Sequence, residues 1–374
     1  MNVTPEQRFL LQLTRAALGR TEAHLDPVGV SWPRFIAEVD RHRLAPFLQR
    51  HVAPLISAHC PPPVAQQIHA ASAETTRRSL QQTGELFRLL KLLADASVPA
   101  FAVKGVALSQ QLHGSLGGRF AGDVDLVVAP EHALRADAVL QAAGLRRTRP
   151  EQQLTPRQSR AFIALKPEFE YLRLDGPGGA LRVELLWRLE GIDALGPRAN
   201  VSLGGRETRT LALEDHALFL LQHGARHAWF RLFWLVDIVR LLQRPELDWS
   251  ALHARARAAG SDRALRQGVA LAAELLGAPL PPALAHISAD ASLLAEARRQ
   301  LGRAPVANET ALEWARQLHY RTGLARGLTT KWRVLAPHVF SPASWQMWQL
   351  PDRWFWLYYP ATPFLWLWRY VRRS

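Results

Sequence analysis

The stretch RFAGDVDLVV, residues 119–128, decides the fold, because it places two carboxylates one residue apart at the start of an apolar strand. Side chains alternate across a strand, so Asp123 and Asp125 project from one face while Val124 and Leu126 enter the core. Hard divalent cations such as Mg²⁺ take oxygen ligands of this kind, completed by substrate phosphates. The pattern predicts a metal site for phosphoryl or nucleotidyl transfer, and the competing interpretation is a solvated strand end or turn.

Strand-like patterns before and after this stretch predict a small mixed sheet. Apolar or alternating runs occur at residues 98–103, 123–128, 169–174 and 181–186. A helix over about 131–143, ending at Gly144, separates the second run from the third. The glycine-rich residues 175–179 join the last two runs as an antiparallel hairpin.

The rest of the chain has helical periodicity, which gives four predicted regions. Residues 1–95 form an N-terminal helical region interrupted by the prolines at 61–63, and residues 96–212 form the α/β core. Residues 213–330 form a second helical domain, and residues 331–374 form an aromatic-rich C-terminal segment. The predicted fold class is α+β, with a small mixed sheet flanked by N-terminal and C-terminal helical regions.

Composition narrows the class of protein. The chain has 374 residues, 48% of them hydrophobic, and a formal net charge of +14, so it is long enough for a large core and its field attracts anions. It contains no basic run, RNA-binding signature or zinc-finger spacing, so nucleic acid is not an expected partner. Cys60 is the sole cysteine, which excludes an internal disulfide and cysteine-based metal clusters. The N-terminus lacks a secretory pattern, which favours a cytoplasmic location.

Three motifs converge on one chemistry. Lys104 and Gly105 follow the first strand and open a helix over 106–112, where free backbone N–H groups favour a phosphate. Glu184 lies in mid-strand, where a buried carboxylate needs a partner. Two ions bridging three carboxylates and a triphosphate would polarise the α-phosphorus. Glu184 would either ligate the second ion or take the proton of the acceptor hydroxyl.

Each motif also has a structural interpretation. Lys104 is alternatively an exposed lysine at a helix start, Arg119 a surface charge, and Glu184 an exposed edge-strand residue. Gly114 and Ser115 form a second candidate for the phosphate turn. We favour Lys104 and its glycine, because Gly114 follows what reads as a helix end and is expected to be a C-cap.

Taken together, these motifs resemble the nucleotidyltransferase superfamily that shares its fold with DNA polymerase β, and within it the uncharacterised nucleotidyltransferase family 5. The matching segments are residues 101–108, 119, 123–128, 183–189, 223–229 and 234–238. The resemblance implies that Asp123, Asp125 and Glu184 bind Mg²⁺ or Mn²⁺. It implies that Lys104, Gly105 and Arg119 hold the phosphates of an NTP substrate. One departure is Leu186, which stands where the family motif commonly has histidine.

Two outlying features complete the predictions. His223, His227 and Asp237 either cap the site and bind the acceptor, or hydrogen-bond within a helical packing layer. The aromatic run at residues 354–371 is typical of an interfacial membrane anchor, although its prolines make a transmembrane helix improbable. The predicted function is transfer of NMP from an NTP, ATP being favoured, to an unidentified hydroxyl or phosphate acceptor. The alternative is a catalytically degenerate binding or regulatory protein of the same fold, attached to a membrane surface.

Overall fold

The computed structural model describes residues 3–20, 24–174, 179–189, 192, 196, 198–303, 310–339 and 343–371. Four helices precede the sheet: α1 (Pro5–Ala17), α2 (Trp32–His42), α3 (Ala45–His59) and α4 (Pro62–Asp95). Thr4 caps α1 in a reciprocal capping box with Gln7. The predicted break at the three prolines is confirmed, because α4 begins with Pro62 in its first turn, where proline is tolerated.

The central part alternates strands and helices. In chain order it contains β1 (Ala100–Val103), α5 (Gly105–His113), β2 (Asp123–Val128), α6 (Ala133–Ala142), β3 (Arg146–Arg149), α7 (Pro156–Leu165), β4 (Glu168–Arg173), β5 (Leu181–Leu186), β6 (Arg198–Leu203) and β7 (Arg206–Leu211). A short 3-10 helix, Pro130–His132, precedes α6.

The remaining secondary-structure elements of the described chain are helices. They are α8 (Leu213–Arg226), α9 (Leu232–Leu242), α10 (Trp249–Ala258), α11 (Asp262–Leu276), α12 (Ala291–Gly302), α13 (Ala311–Leu324), α14 (Leu328–Val339), α15 (Ala343–Met347) and α16 (Tyr358–Val371). Two further 3-10 helices are Pro282–Leu284 and Asp352–Leu357. Among the described residues, no helix has both the length and the apolar character needed to cross a membrane.

The main sheet is mixed and positions the site. Its strand order is β1-β2-β5-β4-β3, and β6 and β7 form a separate two-stranded sheet. β2 and β5 run parallel, whereas the other neighbouring pairs of the main sheet run antiparallel. The register of β2 and β5 sets Asp125 opposite Glu184 and Asp123 opposite Arg182. Residues directly opposite on one face lie close enough for their side chains to interact, so the acidic positions meet on one face.

The two faces of the sheet pack against different helices. The face opposite the carboxylates buries Val124 and Leu126 against α4, α6 and α7. The carboxylate face carries Val103 and Val127 and packs with α1–α3 and α8–α12 in a single apolar cluster. Both predicted helical regions therefore contribute to one core, and the division into four regions stays a prediction.

The predicted α+β fold with a small mixed sheet is confirmed. All four predicted strands occur, each within two residues of its predicted start, and β4 and β5 are antiparallel. Residues 175–178 of the predicted turn lie outside the described residues. The sequence prediction missed β3, β6 and β7, because β3 (RRTR) and much of the hairpin are polar and lack the apolar alternation of a buried strand.

Candidate active site

Three carboxylates from two adjacent parallel strands converge in the wall of a cavity. Asp123, Asp125 and Glu184 each offer one oxygen, and these oxygens all lie within 4.8 Å of one another. Asp125 is almost fully buried, and neither of its carboxylate oxygens accepts a well-aligned hydrogen bond from the described residues. The charge opposite them comes from Lys104, whose Nζ lies 2.9 Å from Asp125 Oδ1 and 3.4 Å from Glu184 Oε2. These groups could hold a divalent metal ion.

The electrostatics of this cluster are unbalanced. Burial raises the pKa of Asp125 well above its ordinary value, and the charges of Asp123 and Glu184 add to the increase. Burial and Glu184 likewise raise the pKa of Asp123. Burial opposes ionisation of Glu184, but the charge of Lys104 and hydrogen-bonding contacts with the two aspartates together outweigh it and lower the pKa of that carboxyl group. Lys104 is itself buried, yet the carboxylates raise its pKa. Three acids share one ammonium group, which favours a further cation.

Lys104 begins α5 in a conformation that a neighbouring histidine supports. Its φ of 49° is rare for a residue with a side chain, and its backbone N–H donates to His216 Nε2 at 3.3 Å. His216 Nδ1 lies 2.6 Å from Gln111 Oε1, so this nitrogen carries the proton. Burial lowers the pKa of His216 to about 3, and the neutral ring can therefore accept the Lys104 N–H at all pH values above this range.

Gly105 allows the backbone to approach the carboxylates. Its φ is +39°, and a Cβ atom at this position would lie 3.2 Å from the Asp123 carbonyl oxygen and 3.8 Å from Asp125 Oδ2. Gly114 ends α5 in the left-handed conformation, which confirms that it is a C-cap. The helix start at Lys104 thus points at the carboxylates, and the role of either turn in phosphate binding stays a prediction.

Arg119 lines the same cavity and forms an ion pair with Asp237. Arg119 Nε donates to Asp237 Oδ2 at 2.7 Å, and His113 Nε2 lies 2.9 Å from Oδ1 of the same carboxylate. Burial would raise the pKa of Asp237, but Arg119 and His113 outweigh it and lower the pKa. Asp237 does not line the cavity, so the structure places it beneath Arg119 and away from the predicted cap. Arg119 keeps further N–H donors beyond the one bound to Asp237.

The cavity has a volume of about 680 Å³ and a predominantly basic wall. This volume lies within the range of small-molecule sites. Nine lining side chains are cationic and five are acidic. The cationic ones are Arg43, Arg78, Lys104, Arg119, Arg149, Arg182, Arg188, Arg226 and Arg231, and the acidic ones are Asp123, Asp125, Glu168, Glu170 and Glu184. A wall of this composition suits a polyanion bound beside metal-ligating carboxylates.

An aromatic and histidine wall faces the carboxylates from α8 and α9. The rings of His223 and His227 lie 4.7 Å apart, and Trp234 contacts both at 5.3 and 5.6 Å between ring centroids. Burial lowers the pKa of His227 to about 3 and that of His223 well below its ordinary value. His223 Nδ1 has no hydrogen-bond partner among the described residues. These neutral rings can offer hydrogen bonds and stacking surfaces to a bound molecule.

Sequence reasoning missed several residues that the fold brings to the site. Arg43 comes from the end of α2 and Arg231 from the start of α9, and no local pattern marks either one. Glu168 lies on β4 near Glu184, and burial followed by that charge raises its pKa. His216 lies seven residues before His223, a two-turn helical spacing that could have placed both rings on one face of α8.

The sequence profile of the uncharacterised nucleotidyltransferase family matches residues 29–277, more than half of the chain. The chain belongs to this family. Among solved structures, an antigenic nucleotidyltransferase-like protein from Paracoccidioides brasiliensis is similar at 16% identity and a TM-score of 0.31, over 55% of this chain and 96% of that chain. No curated protein matches with significance.

Membership in the nucleotidyltransferase family confirms the resemblance seen in the sequence. The matched range begins just before α2 and ends just after α11, so it includes Arg43 as well as the carboxylates. Leu186, at the position of the family histidine, is buried and lines the cavity. A side chain without polar atoms can neither bind a metal nor transfer a proton, so Leu186 cannot take the place of a histidine in either role.

Proposed function

We propose that the protein is a metal-dependent nucleotidyltransferase that moves NMP from an NTP, ATP being favoured, to a hydroxyl or phosphate acceptor. The observation that carries the proposal is the cluster of Asp123, Asp125 and Glu184, with ligand oxygens within 4.8 Å, at the wall of a large basic cavity. Family membership supports the same reaction class. The preferred ion is Mg²⁺ or Mn²⁺, because an all-oxygen carboxylate set suits hard cations.

Each residue then has a chemical task. Asp123, Asp125 and Glu184 would hold the cation, which supplies Lewis-acid polarisation of the α-phosphate. Lys104, displaced from the carboxylates when the cation neutralises them, would turn its ammonium group to the phosphates. The N-terminal N–H groups of α5 would donate to the same phosphates. Arg119, fixed by Asp237, would add a rigid positive charge.

The acceptor is proposed to bind at the wall formed by His223, His227 and Trp234. These rings line the cavity together with the carboxylates, so an acceptor lying on them would face the metal-bound phosphate. Holding both reactants in one cavity converts their reaction into an effectively intramolecular one. Neutral histidines suit hydrogen bonding to a hydroxyl group of the acceptor.

Calorimetric titration of ATP and a nonhydrolysable analogue, with and without Mg²⁺, tests the nucleotide site. We expect Mg²⁺-dependent binding to the wild type and its loss in Asp123→Asn and Asp125→Asn, both checked for folding by circular dichroism. Asp95→Asn, a change to an exposed carboxylate on α4, serves as the matched control. If no NTP binds to the folded wild type with either Mg²⁺ or Mn²⁺, the degenerate binding protein becomes the better description.

We also propose that the C-terminal segment contacts an anionic membrane surface. All six exposed aromatic side chains in the described part of the chain lie in this segment: Trp332, Trp348, Trp354, Trp356, Tyr359 and Phe364. Basic residues flank them, and Arg353 lies 6.0 Å above the Trp354 ring. Aromatic rings with adjacent cations suit the headgroup region of an anionic bilayer.

Flotation with vesicles of phosphatidylcholine and phosphatidylglycerol tests this contact. We expect the full chain to float with the anionic vesicles at low salt. The double variant Trp354→Ala/Trp356→Ala should stay at the bottom of the gradient. Leu80→Ala, which removes an exposed apolar side chain from α4, should float like the wild type. Equal flotation of all three proteins, or of none, would contradict the membrane contact.

A further inference from the structure

Two arginines in the cavity have no hydrogen-bond or ion-pair partner among the described residues. Arg43 and Arg231 line the cavity and are half-buried, yet neither guanidinium group forms a hydrogen bond or an ion pair with any described residue. They come from separate helical regions, at the end of α2 and the start of α9. A half-buried charge without a hydrogen bond or an ion pair loses hydration that its weaker contacts do not fully replace, so this arrangement is costly in the ligand-free protein.

Aromatic rings hold both guanidinium groups in place. The Cζ atom of Arg43 lies 4.0 Å from the centre of the Phe120 ring, and that of Arg231 lies 4.8 Å from the Phe230 ring. Stacking of this kind fixes the guanidinium plane while leaving its in-plane N–H donors available. The two groups are thus oriented before any ligand arrives, which reduces the entropic cost of binding.

The two positive charges also lie close enough to repel one another. Burial and then the charge of Arg231 lower the pKa of Arg43 to about 9. Asp123 attracts both groups without forming an ion pair with either one. Arg182, exposed at the cavity margin opposite Asp123 on β5, adds a third charge without an ion pair among the described residues. The structure therefore concentrates uncompensated positive charge beside the first metal-ligating position.

We propose that Arg43 and Arg231, with Arg182 at the margin, form an oxyanion site for a phosphate group. Planar guanidinium groups match the geometry of phosphate oxygens and bind them through paired N–H donors. A phosphate would satisfy the unused donors and remove the repulsion between the arginines. The phosphate belongs either to the terminal part of the NTP or to the acceptor. The site itself does not depend on the proposed function, but the assignment of its phosphate to the NTP or the acceptor does.

Calorimetric titration with inorganic pyrophosphate in the presence of EDTA tests the site without metal or nucleotide. We expect Arg43→Gln and Arg231→Gln each to weaken binding by about tenfold or more, as expected for loss of a charged hydrogen-bonding group. Arg43→Lys, which keeps the charge but loses the planar fork, should bind with intermediate affinity. Arg77→Gln, at an arginine of α4 that pairs with Glu74 outside the cavity wall, should bind like the wild type.

Equal affinity in the wild type and both glutamine variants, or no pyrophosphate binding by the folded wild type, would overturn the oxyanion site. The glutamine variants are expected to fold, because each one removes a repelled charge that contributes no ion pair. If one of them nevertheless fails to fold, the other glutamine variant and Arg43→Lys decide the result on the same criterion.

Nucleotide titrations then identify the source of the phosphate. If Arg43→Gln weakens binding of ATP but not of AMP, the site takes the terminal phosphates of the donor. If both nucleotides bind normally to Arg43→Gln, and inorganic phosphate binds beside ATP only in the wild type, the site takes a phosphate of the acceptor. Asp125→Asn separates this inference from the proposed function, since it should lose Mg²⁺-dependent ATP binding while keeping metal-free pyrophosphate binding.

Discussion

Replacing Asp125 with asparagine should stabilise the metal-free protein and abolish its stabilisation by Mg²⁺ or Mn²⁺. Asp125 is buried beside two other carboxylates, and its raised pKa shows that the fold disfavours its ionised form. Asparagine has nearly the same shape and no charge. Its amide can donate a hydrogen bond to a neighbouring carboxylate, so the substitution removes charge without creating a cavity.

The size of the stabilisation by Asp125→Asn follows from the distances between the charged groups in the cluster. Two like charges at 4.8 Å, the largest separation among the ligand oxygens, repel by about 3 kcal/mol at an effective dielectric constant of about 20. Asp123 and Glu184 each repel Asp125 in this way, and Lys104 at 2.9 Å offsets them by about 6 kcal/mol. The remaining cost is the dehydration of Asp125, of the order of several kcal/mol. We expect Asp125→Asn to gain about 2 kcal/mol in the free energy of unfolding, or about 2 to 3 °C in Tm for a chain of 374 residues.

Thermal denaturation with EDTA and with excess Mg²⁺ or Mn²⁺ measures both effects. The metal should raise the Tm of the wild type and leave that of the variant unchanged, because a ligand stabilises only the state that binds it. The reasoning is refuted if the variant melts below the wild type in EDTA, or if it keeps the metal-induced shift. Asp95→Asn, which alters an exposed ion pair with Lys91, should change neither measurement appreciably.

The stability of the metal-free wild type should also fall as the pH rises, because of Asp125. The pKa of Asp125 is raised in the folded protein, so the carboxyl group loses its proton more readily in the unfolded chain. The stability that this group contributes is present below the ordinary aspartate pKa of about 4 and is lost as the pH rises through the folded value. Wild-type protein in EDTA should therefore lose stability over this window relative to Asp125→Asn.

Three further substitutions test the turn at the start of α5. Lys104→Met leaves the carboxylates without their ammonium group, so we expect a loss of about 3 kcal/mol or more in EDTA, partly restored by Mg²⁺ in thermal melts. His216→Leu removes the acceptor of the Lys104 N–H, so calorimetry should show a loss of stability of about 1 to 2 kcal/mol and weaker ATP binding. In the wild type this histidine should not titrate between pH 5 and 8, because its pKa is about 3. Gly105→Ala should lower the free energy of unfolding by about 1 kcal/mol more than Gly114→Ala. Both glycines have positive φ, but only at Gly105 would a Cβ atom lie 3.2 Å from the Asp123 carbonyl oxygen. Equal losses of stability in urea denaturation would contradict this contact.

Local sequence patterns predicted the strands that carry the site. The apolar alternation of β2 and β5 predicts both strands and the face on which their carboxylates lie, because side chains alternate strictly along a strand. The break at the three prolines and the C-cap at Gly114 follow from equally local physics. β3 escaped prediction because a polar edge strand is stabilised by its neighbour and not by its own apolar pattern.

The sequence itself determined the acidic strand face, the helix start beside it and the family to which the chain belongs. Tertiary structure alone decided that Arg43 and Arg231 line the same cavity as Asp123, that His216 supports the Lys104 backbone, and that Asp237 binds Arg119. Such contacts join residues far apart in the chain and depend on how the two helical regions pack against one face of the sheet. Hydrophobic periodicity predicts which face of a helix or strand is buried, but it does not predict which distant side chain contacts that face.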